Sequence, residues 1–279
     1  MKPETENGKP QAYGTPFRPP AVFRSFFLPL RRLAADLSRL FLPRRCGLCG
    51  CRLDEGQDVI CAVCYCGLPF TRFHGRPGNP VERLFWGRLP IVRANAFLRY
   101  VPGADSSRLF LNLKYHDRPQ TGLYFGRIMA ADLVADGFFS GISLVVPVPL
   151  ASDRQWRRGY NQSEWLARGI AEVTGLPVAA EAVRRVRSNP SQTRLSAWQR
   201  RENVEGIFAL ADGARLAGRH ILLVDDILTT GSTLLSCACE VARAPGVRIS
   251  VLVMGLAGRH PESVVPSREE RKKPFPEIS

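Results

Sequence analysis

The sequence predicts an α/β domain built on a mostly parallel sheet with helices on both faces, preceded by a small four-cysteine ribbon. Three observations carry that expectation. Strand-length apolar runs alternate with helix-period stretches through the second half of the chain, the pattern that βαβ units leave in a sequence. One of those runs, Ile221 to Val224, leads straight into two aspartates and a hydroxyl-rich turn with a glycine. Six of the eight cysteines fall between Cys46 and Cys66.

Taken in order, residues 1–25 form a polar, proline-rich arm expected to be disordered. Phe26, Leu30, Leu33, Leu37 and Leu40 then recur at three- and four-residue steps. That spacing predicts an amphipathic helix over 26–43, closed by Pro43. Docking on the following domain is the expected role, with a transit peptide or a membrane-surface helix as alternatives. Residues 44–70 form the cysteine module, and 71–258 the main domain. Within it, strands are expected at Ile91–Tyr100, Ser143–Val148, Ala182–Arg187, Arg219–Val224 and Val247–Leu256. Helices are expected at 104–114, 120–136, Gln162–Val173 and Ser232–Arg243, and a polar loop at 188–203. Residues 259–279 are charged and proline-containing, the mark of a frayed tail.

With 45% hydrophobic and 23% charged residues the chain reads as globular. No apolar run reaches the length of a membrane span. A net charge of +14 and a pI near 10.0 imply attraction to anions, whether phosphates, nucleic acid or an acidic membrane; an arginine-rich solvated surface is the plainer alternative. Lys114 is the one lysine between Lys9 and Lys272. Where nearly every other basic position is arginine, a lone lysine suggests a site that wants a compact ammonium, unless it is a chance survivor. Met1 to Pro20 lacks the apolar core of a secretory signal. The expectation is therefore a cytoplasmic protein whose clustered cysteines are metal ligands, not disulfides.

The strongest motif is Ile221-Leu-Leu-Val-Asp225-Asp226-Ile-Leu-Thr229-Thr230-Gly231-Ser232-Thr233. Backbone N–H groups at a helix start, with four hydroxyls around them, make a phosphate cradle, and Gly231 allows close approach of the main chain. Two adjacent carboxylates suit the paired hydroxyls of a ribose and oppose the charge of a bound Mg²⁺. The site falls at the carboxyl end of a parallel strand, where open α/β sheets bind ligands. A helix cap alone needs one such aspartate, not two. The Walker A pattern is missing, which excludes a P-loop nucleotide site. Residue for residue, the segment resembles the phosphoribosyl pyrophosphate signature of type I phosphoribosyltransferases. That resemblance implies that Asp225 and Asp226 hold the ribose 2′ and 3′ hydroxyls and that Thr229, Thr230, Gly231, Ser232 and Thr233 hold the 5′-phosphate.

Other segments supply partners for such a loop. The strand ending Pro147-Val-Pro149 delivers Arg154, Arg157 and Arg158 near a helix start, a reasonable diphosphate grip and the counterpart of the pyrophosphate loop in that resemblance. Residues 191–203 are a candidate mobile hairpin able to exclude water over the reacting carbon, or a plain surface hairpin. No protein nucleophile is needed: Mg²⁺ and arginines stabilise the departing pyrophosphate while the carboxylates fix the ribose. His116 is given no role.

Cys46-Gly-Leu-Cys49 and Cys61-Ala-Val-Cys64 are two CxxC knuckles separated by a short spacer, the arrangement that gives four thiolates to one structural Zn²⁺. Cys51 and Cys66 extend each knuckle; spare thiols, alternative ligands and a cluster site all remain open, and an iron–sulfur site is the less favoured alternative.

The order of the pieces carries a further resemblance. The cysteine module with Leu68-Pro69, Leu113-Lys114-Tyr115, Pro147-Val-Pro-Leu150 with Arg157-Arg-Gly-Tyr-Asn-Gln162, Gln192 with Arg200-Arg-Glu-Asn-Val204, and Val224-Asp-Asp-Ile-Leu-Thr-Thr-Gly231 together look like the ComF (ComFC) family of competence-associated phosphoribosyltransferase-like proteins. The resemblance spans about residues 40–256. It implies a bacterial cytoplasmic protein linked to DNA uptake in natural transformation, with phosphoribosyl pyrophosphate as ligand and single-stranded DNA and competence proteins as partners. The alternative is a non-catalytic sensor of the sugar phosphate that binds single-stranded DNA or a transformation partner. No glutamine-hydrolysing domain accompanies the motifs, which argues against an amidotransferase, and no recognition helix accompanies the cysteines, which ranks a transcription factor last.

Overall fold

Strand β5, His220–Leu228, organises the domain. In this computed structural model, which describes residues 44–115, 119–187 and 206–258, it pairs in parallel with β2 (Leu144–Pro147) on one side and β6 (Arg248–Ala257) on the other. Strand β1 (Arg93–Tyr100) adds to β6, giving the four-stranded order β1-β6-β5-β2, parallel throughout. A strand with neighbours on both sides and helices above and below has no solvated face, hence the unbroken apolar run at its start.

The chain divides into two units, Met1–Arg44 and Arg45–Ser279; only Arg44 of the first is described, and all that follows concerns the second. The expected arm 1–25, amphipathic helix 26–43, hairpin 191–203, tail 259–279 and His116 lie outside the described residues.

Alternation along β5 sorts the core. Leu222 and Val224 enter one buried cluster, Ile221 and Leu223 the other, as a period of two requires. The first face is covered by α3 (Ser107–Tyr115), α4 (Pro119–Val134) and α6 (Gln162–Thr174). Helices α4 and α6 approach unusually closely because glycines face each other: a Cβ on Gly126 would run into the Leu166 carbonyl, and one on Gly169 into that of Leu123. The second face is covered by α8 (Ser232–Val241), with α7 (Gly213–Leu216) and α2 (Pro80–Arg83) contributing Leu216 and Val81. Helices on both faces of a parallel sheet are thus what the structure holds.

The cysteine segment packs into the first of these clusters. Cys46, Leu53, Ile60, Cys61 and Leu68 are buried with Phe97, Leu98, Leu109 and Phe110, around the short helix α1 (Ala62–Cys66). Helix α3 holds it by two hydrogen bonds: Asn112 Nδ2 donates to the Gly47 carbonyl at 3.0 Å, and Arg108 Nη1 to that of Leu48 at 3.2 Å.

Three elements differ from the sequence expectation. Strand β5 does not stop at Val224 but continues to Leu228, because β6 goes on pairing through Asp225↔Val253 and Leu228↔Leu256. Residues expected as a loop form helix α5, Ser152–Arg158, with Asp153 in the first turn, arginines in the last, and Gly159 at φ 74° ending it. Strand β3 (Val183–Arg185) leaves the main sheet and pairs antiparallel with β4 (Phe208–Leu210), a partner too short to stand out in the sequence.

Candidate functional site

At the carboxyl end of β5 a cavity of about 320 Å³ opens. Its wall collects Asp225 and Asp226 from β5, Thr229 from the turn after it, Thr233 from α8, Arg154 and Arg158 from α5, and Lys114 from α3. Seven expected site residues from four elements and a turn therefore share one space. Arg157 does not line it: its side chain is 72% exposed and pairs with Asp153 at 3.7 Å. Helix geometry explains the split, since Arg154 and Arg158 are one turn apart on a common face. Thr230, Gly231 and Ser232 form the rim turn, where Thr230 Oγ1 and Ser232 Oγ are 3.1 Å apart. Gly231 adopts φ 78° at the start of α8. A Cβ there would meet Leu84 and Leu228 only at ordinary contact distance, so backbone conformation, not crowding, is what calls for glycine.

The two aspartates sit differently. Asp225 Oδ1 accepts from Ser163 Oγ and from the Asp226 N–H, both at 2.9 Å. Burial, followed by the Asp226 charge, nevertheless pushes its carboxyl up to about 7, with those two donors and Lys114 pulling the other way. Asp226 Oδ1 accepts from the Ile227 N–H at 2.6 Å, and its Oδ2 lies 3.5 Å from Lys114 Nζ. The lone lysine thus reaches the carboxylate pair.

Residues not expected as site residues also build or brace the wall. Asn161 caps α6, donating to the Val148 carbonyl at 3.1 Å and accepting from the Ser163 N–H at 3.2 Å, which aims Ser163 at Asp225. Gln162 Oε1 accepts from Arg158 Nη1 at 3.0 Å. Tyr160 Oη donates to the Leu113 carbonyl at 2.6 Å, tying this segment to the helix that carries Lys114. Arg185, on β3, also lines the cavity. A cap signal before α6 was available in the sequence; nothing there tells which of Arg184, Arg185 and Arg187 faces inward, since that depends on the register with β4.

The second cluster is Cys46, Cys49, Cys61 and Cys64, whose sulfurs all lie within 4.8 Å of one another. Four thiolates at about 2.3 Å from one tetrahedral metal stand about 3.8 Å apart, and Cys49 Sγ is 3.8 Å from Cys61 Sγ. Cys46 Sγ accepts from the N–H groups of Leu48 at 3.5 Å and Cys61 at 3.4 Å; Cys61 Sγ accepts from that of Cys64 at 3.5 Å. Burial works to raise the Cys46 thiol, but the backbone donors outweigh it and bring it down to about 6. Cys49 is lowered as well, chiefly by the Cys51 N–H, while burial raises Cys64. These four sulfurs fit a zinc ion. Cys51 and Cys66, both exposed, fall outside the set.

A parallel sheet ending in twin carboxylates, a threonine-lined turn and an arginine helix, behind a module whose four sulfurs fit a metal, defines a phosphoribosyltransferase-fold protein. No family model matches the chain. It is similar to the DNA utilization protein YhgH of Escherichia coli strain K12, 32% identical over 228 residues that cover 76% of this chain and 96% of that one. It is also similar to competence protein F of Haemophilus influenzae, 40% identical over 114 residues, 40% of this chain and 49% of the relative. Among solved structures, glutamine phosphoribosylpyrophosphate amidotransferase from Bacillus subtilis is 18% identical with a TM-score of 0.36, covering 51% of this chain and 30% of that one. The chain belongs to the ComF family. No helix among the described residues is long and apolar enough to cross a membrane.

Proposed function

We propose that the cavity binds phosphoribosyl pyrophosphate together with Mg²⁺ and transfers the phosphoribosyl group to a nitrogen acceptor, in a cell process serving DNA uptake or use. The observation that supports it most is convergence: two carboxylates, two threonines, three arginines and a lysine, from five elements and the turn after β5, line one space. Asp225 and Asp226 accept from the ribose hydroxyls. The turn Thr229, Thr230, Gly231, Ser232 and Thr233 gives its hydroxyls and the N–H groups at the start of α8 to the 5′-phosphate. Arg154, Arg158 and Lys114 supply positive charge for the diphosphate, while Arg157 faces away from the cavity.

The carboxylates give Mg²⁺ the hard oxygen donors it takes; bound there with the ligand, it would neutralise charge on the leaving pyrophosphate. In the reaction the C1–O bond breaks and its electron pair leaves on pyrophosphate. The acceptor's nitrogen lone pair forms the new C1–N bond, and a proton leaves that nitrogen for solvent. The protein's part is positioning and charge.

The test is calorimetric titration with phosphoribosyl pyrophosphate and Mg²⁺. Replacing both carboxylates (Asp225→Asn with Asp226→Asn) should weaken binding about a hundredfold or more, as loss of two charge-assisted hydrogen bonds does. Equal affinity in wild type and double variant would remove the assignment. Binding without pyrophosphate release, across a broad panel of nitrogen nucleophiles, would leave the sensing alternative. There the outer face of α5, where Trp156 is 87% exposed near Arg157, would meet single-stranded DNA.

A further inference from the structure

Arg185 stands on β3, apart from every motif that points to a sugar phosphate, yet its side chain lines the same cavity. Its guanidinium lies over the ring of Phe208, its cross-strand partner on β4, at 5.4 Å. Its Nε donates to the Arg187 carbonyl at 3.3 Å. Those two contacts fix the plane of the fork and leave Nη1 and Nη2 without a partner among the described residues.

The surroundings ask for an anion. Burial, and then the charge of Arg154, both disfavour the Arg185 cation, while Asp225 and Asp153 favour it. Among the described residues neither Arg154 nor Arg185 forms an ion pair with a carboxylate. Lys114 differs, since Asp226 already faces it. Arg185 is half-buried and Arg154 exposed; a half-buried guanidinium facing a second cation is costly alone, and an anion with several oxygens relieves it, each fork taking parallel hydrogen bonds.

We propose that Arg185 and Arg154 form a two-guanidinium clamp for the diphosphate, and that Arg185 is the residue that distinguishes a diphosphate-bearing ligand from a sugar monophosphate. The inference rests on the sugar-phosphate reading given above and adds a specificity residue to it. A 5′-phosphate held at the turn before α8 needs nothing from β3. A diphosphate lying toward α5 carries the charge that two cations match. Helix α5 turns Arg157 away from the cavity, so the second fork comes from another element.

The experiment uses the full-length protein with Mg²⁺ and three titrants: phosphoribosyl pyrophosphate, inorganic pyrophosphate and ribose 5-phosphate. Arg185→Gln is expected to weaken the first two by about ten- to a hundredfold and to leave the third within about twofold. Arg185→Lys, which restores a point charge without the fork, should recover part of the loss. Unchanged affinity for phosphoribosyl pyrophosphate in Arg185→Gln overturns the clamp while leaving the sugar-phosphate reading intact. So does equal weakening of all three ligands, which means that β3 has shifted. If wild type does not bind phosphoribosyl pyrophosphate, the sugar-phosphate reading falls, and the clamp is judged on pyrophosphate alone. Weaker pyrophosphate binding in Arg185→Gln then supports it; equal or absent binding ends it.

Discussion

At Cys46 the chain surrounds an acid with backbone N–H groups, whereas at Asp225 it surrounds one with an apolar sheet and a second carboxylate. The outcomes are opposite. The Cys46 thiol comes down to about 6, ready to bind as thiolate; the Asp225 carboxyl goes up to about 7, and its charge is disfavoured until something arrives. The cysteines come from one short stretch and close around a point. The carboxylates open on a cavity whose other walls come from elsewhere in the chain. What the difference teaches is that one cluster has the geometry to close on a metal, whereas the other leaves open space beside its charges. Helix α3 touches both, through Arg108 and Asn112 at the cysteine knuckle and Lys114 at Asp226.

The largest effect should come from breaking the first cluster. With zinc held by the four sulfurs, a strong chelator or the replacement Cys46→Ser would take away energy that orders residues packed into the same core as Leu109 and Phe110. A fall in Tm of about 10 °C or more is expected in scanning calorimetry. An unchanged Tm, in protein whose metal content has been measured before and after, would show that the cysteines do not hold the fold.

A smaller effect of opposite sign is expected at the other cluster. A carboxyl whose folded pKa is raised keeps its proton in the native state after the unfolded chain has lost it. Stability then falls as pH rises between the unfolded value of 3.8 and the folded value near 7, and stays low above that. Asp225→Asn removes this penalty. Ligand-free Asp225→Asn should therefore melt about 2–6 °C above wild type at pH 8, a gain of one or two kcal/mol in a domain of this size. The gap should shrink toward pH 4. A variant that melts lower at pH 8, or by the same margin at both pH values, would end the contrast between the clusters.

The two regions were also unequally legible in the sequence. The cysteine set could be read from spacing because its ligands are near neighbours, and the structure gathers Cys46, Cys49, Cys61 and Cys64 as a group. The parallel sheet was legible because buried strands leave continuous apolar runs, as at Ile221 to Val224. The end of β5 was not: Asp225 and Asp226 look like turn residues in sequence, and only the pairing with β6 keeps them extended. Arg154, Arg157 and Arg158 read as equals until helix α5 gives them different faces. Arg185 carried no signal, because its direction is set by a three-residue ladder with β4. Local spacing survives translation into sequence; long-range register does not.

The smallest effect would sharpen the contrast most. Ser163 Oγ donates to Asp225 Oδ1 and is one of the few influences holding that carboxyl down. Ser163→Ala leaves the Asp226 N–H as the other hydrogen-bond donor to that oxygen, so the carboxyl should move further up and ionise later. Affinity for phosphoribosyl pyrophosphate at pH 7 should drop about three- to tenfold, the worth of one hydrogen bond to a charged group or somewhat less. Because a diol is best accepted by the ionised form, binding should weaken as pH falls below about 7 in wild type, and the midpoint of that loss should lie higher in the variant. Ser163 is buried near the start of α6, so a packing defect could also lower affinity, but it would not move the midpoint. Titrations across pH separate the two: a shifted midpoint means the fold tunes Asp225 through Ser163, and an unshifted one means that burial and Asp226 alone set its charge.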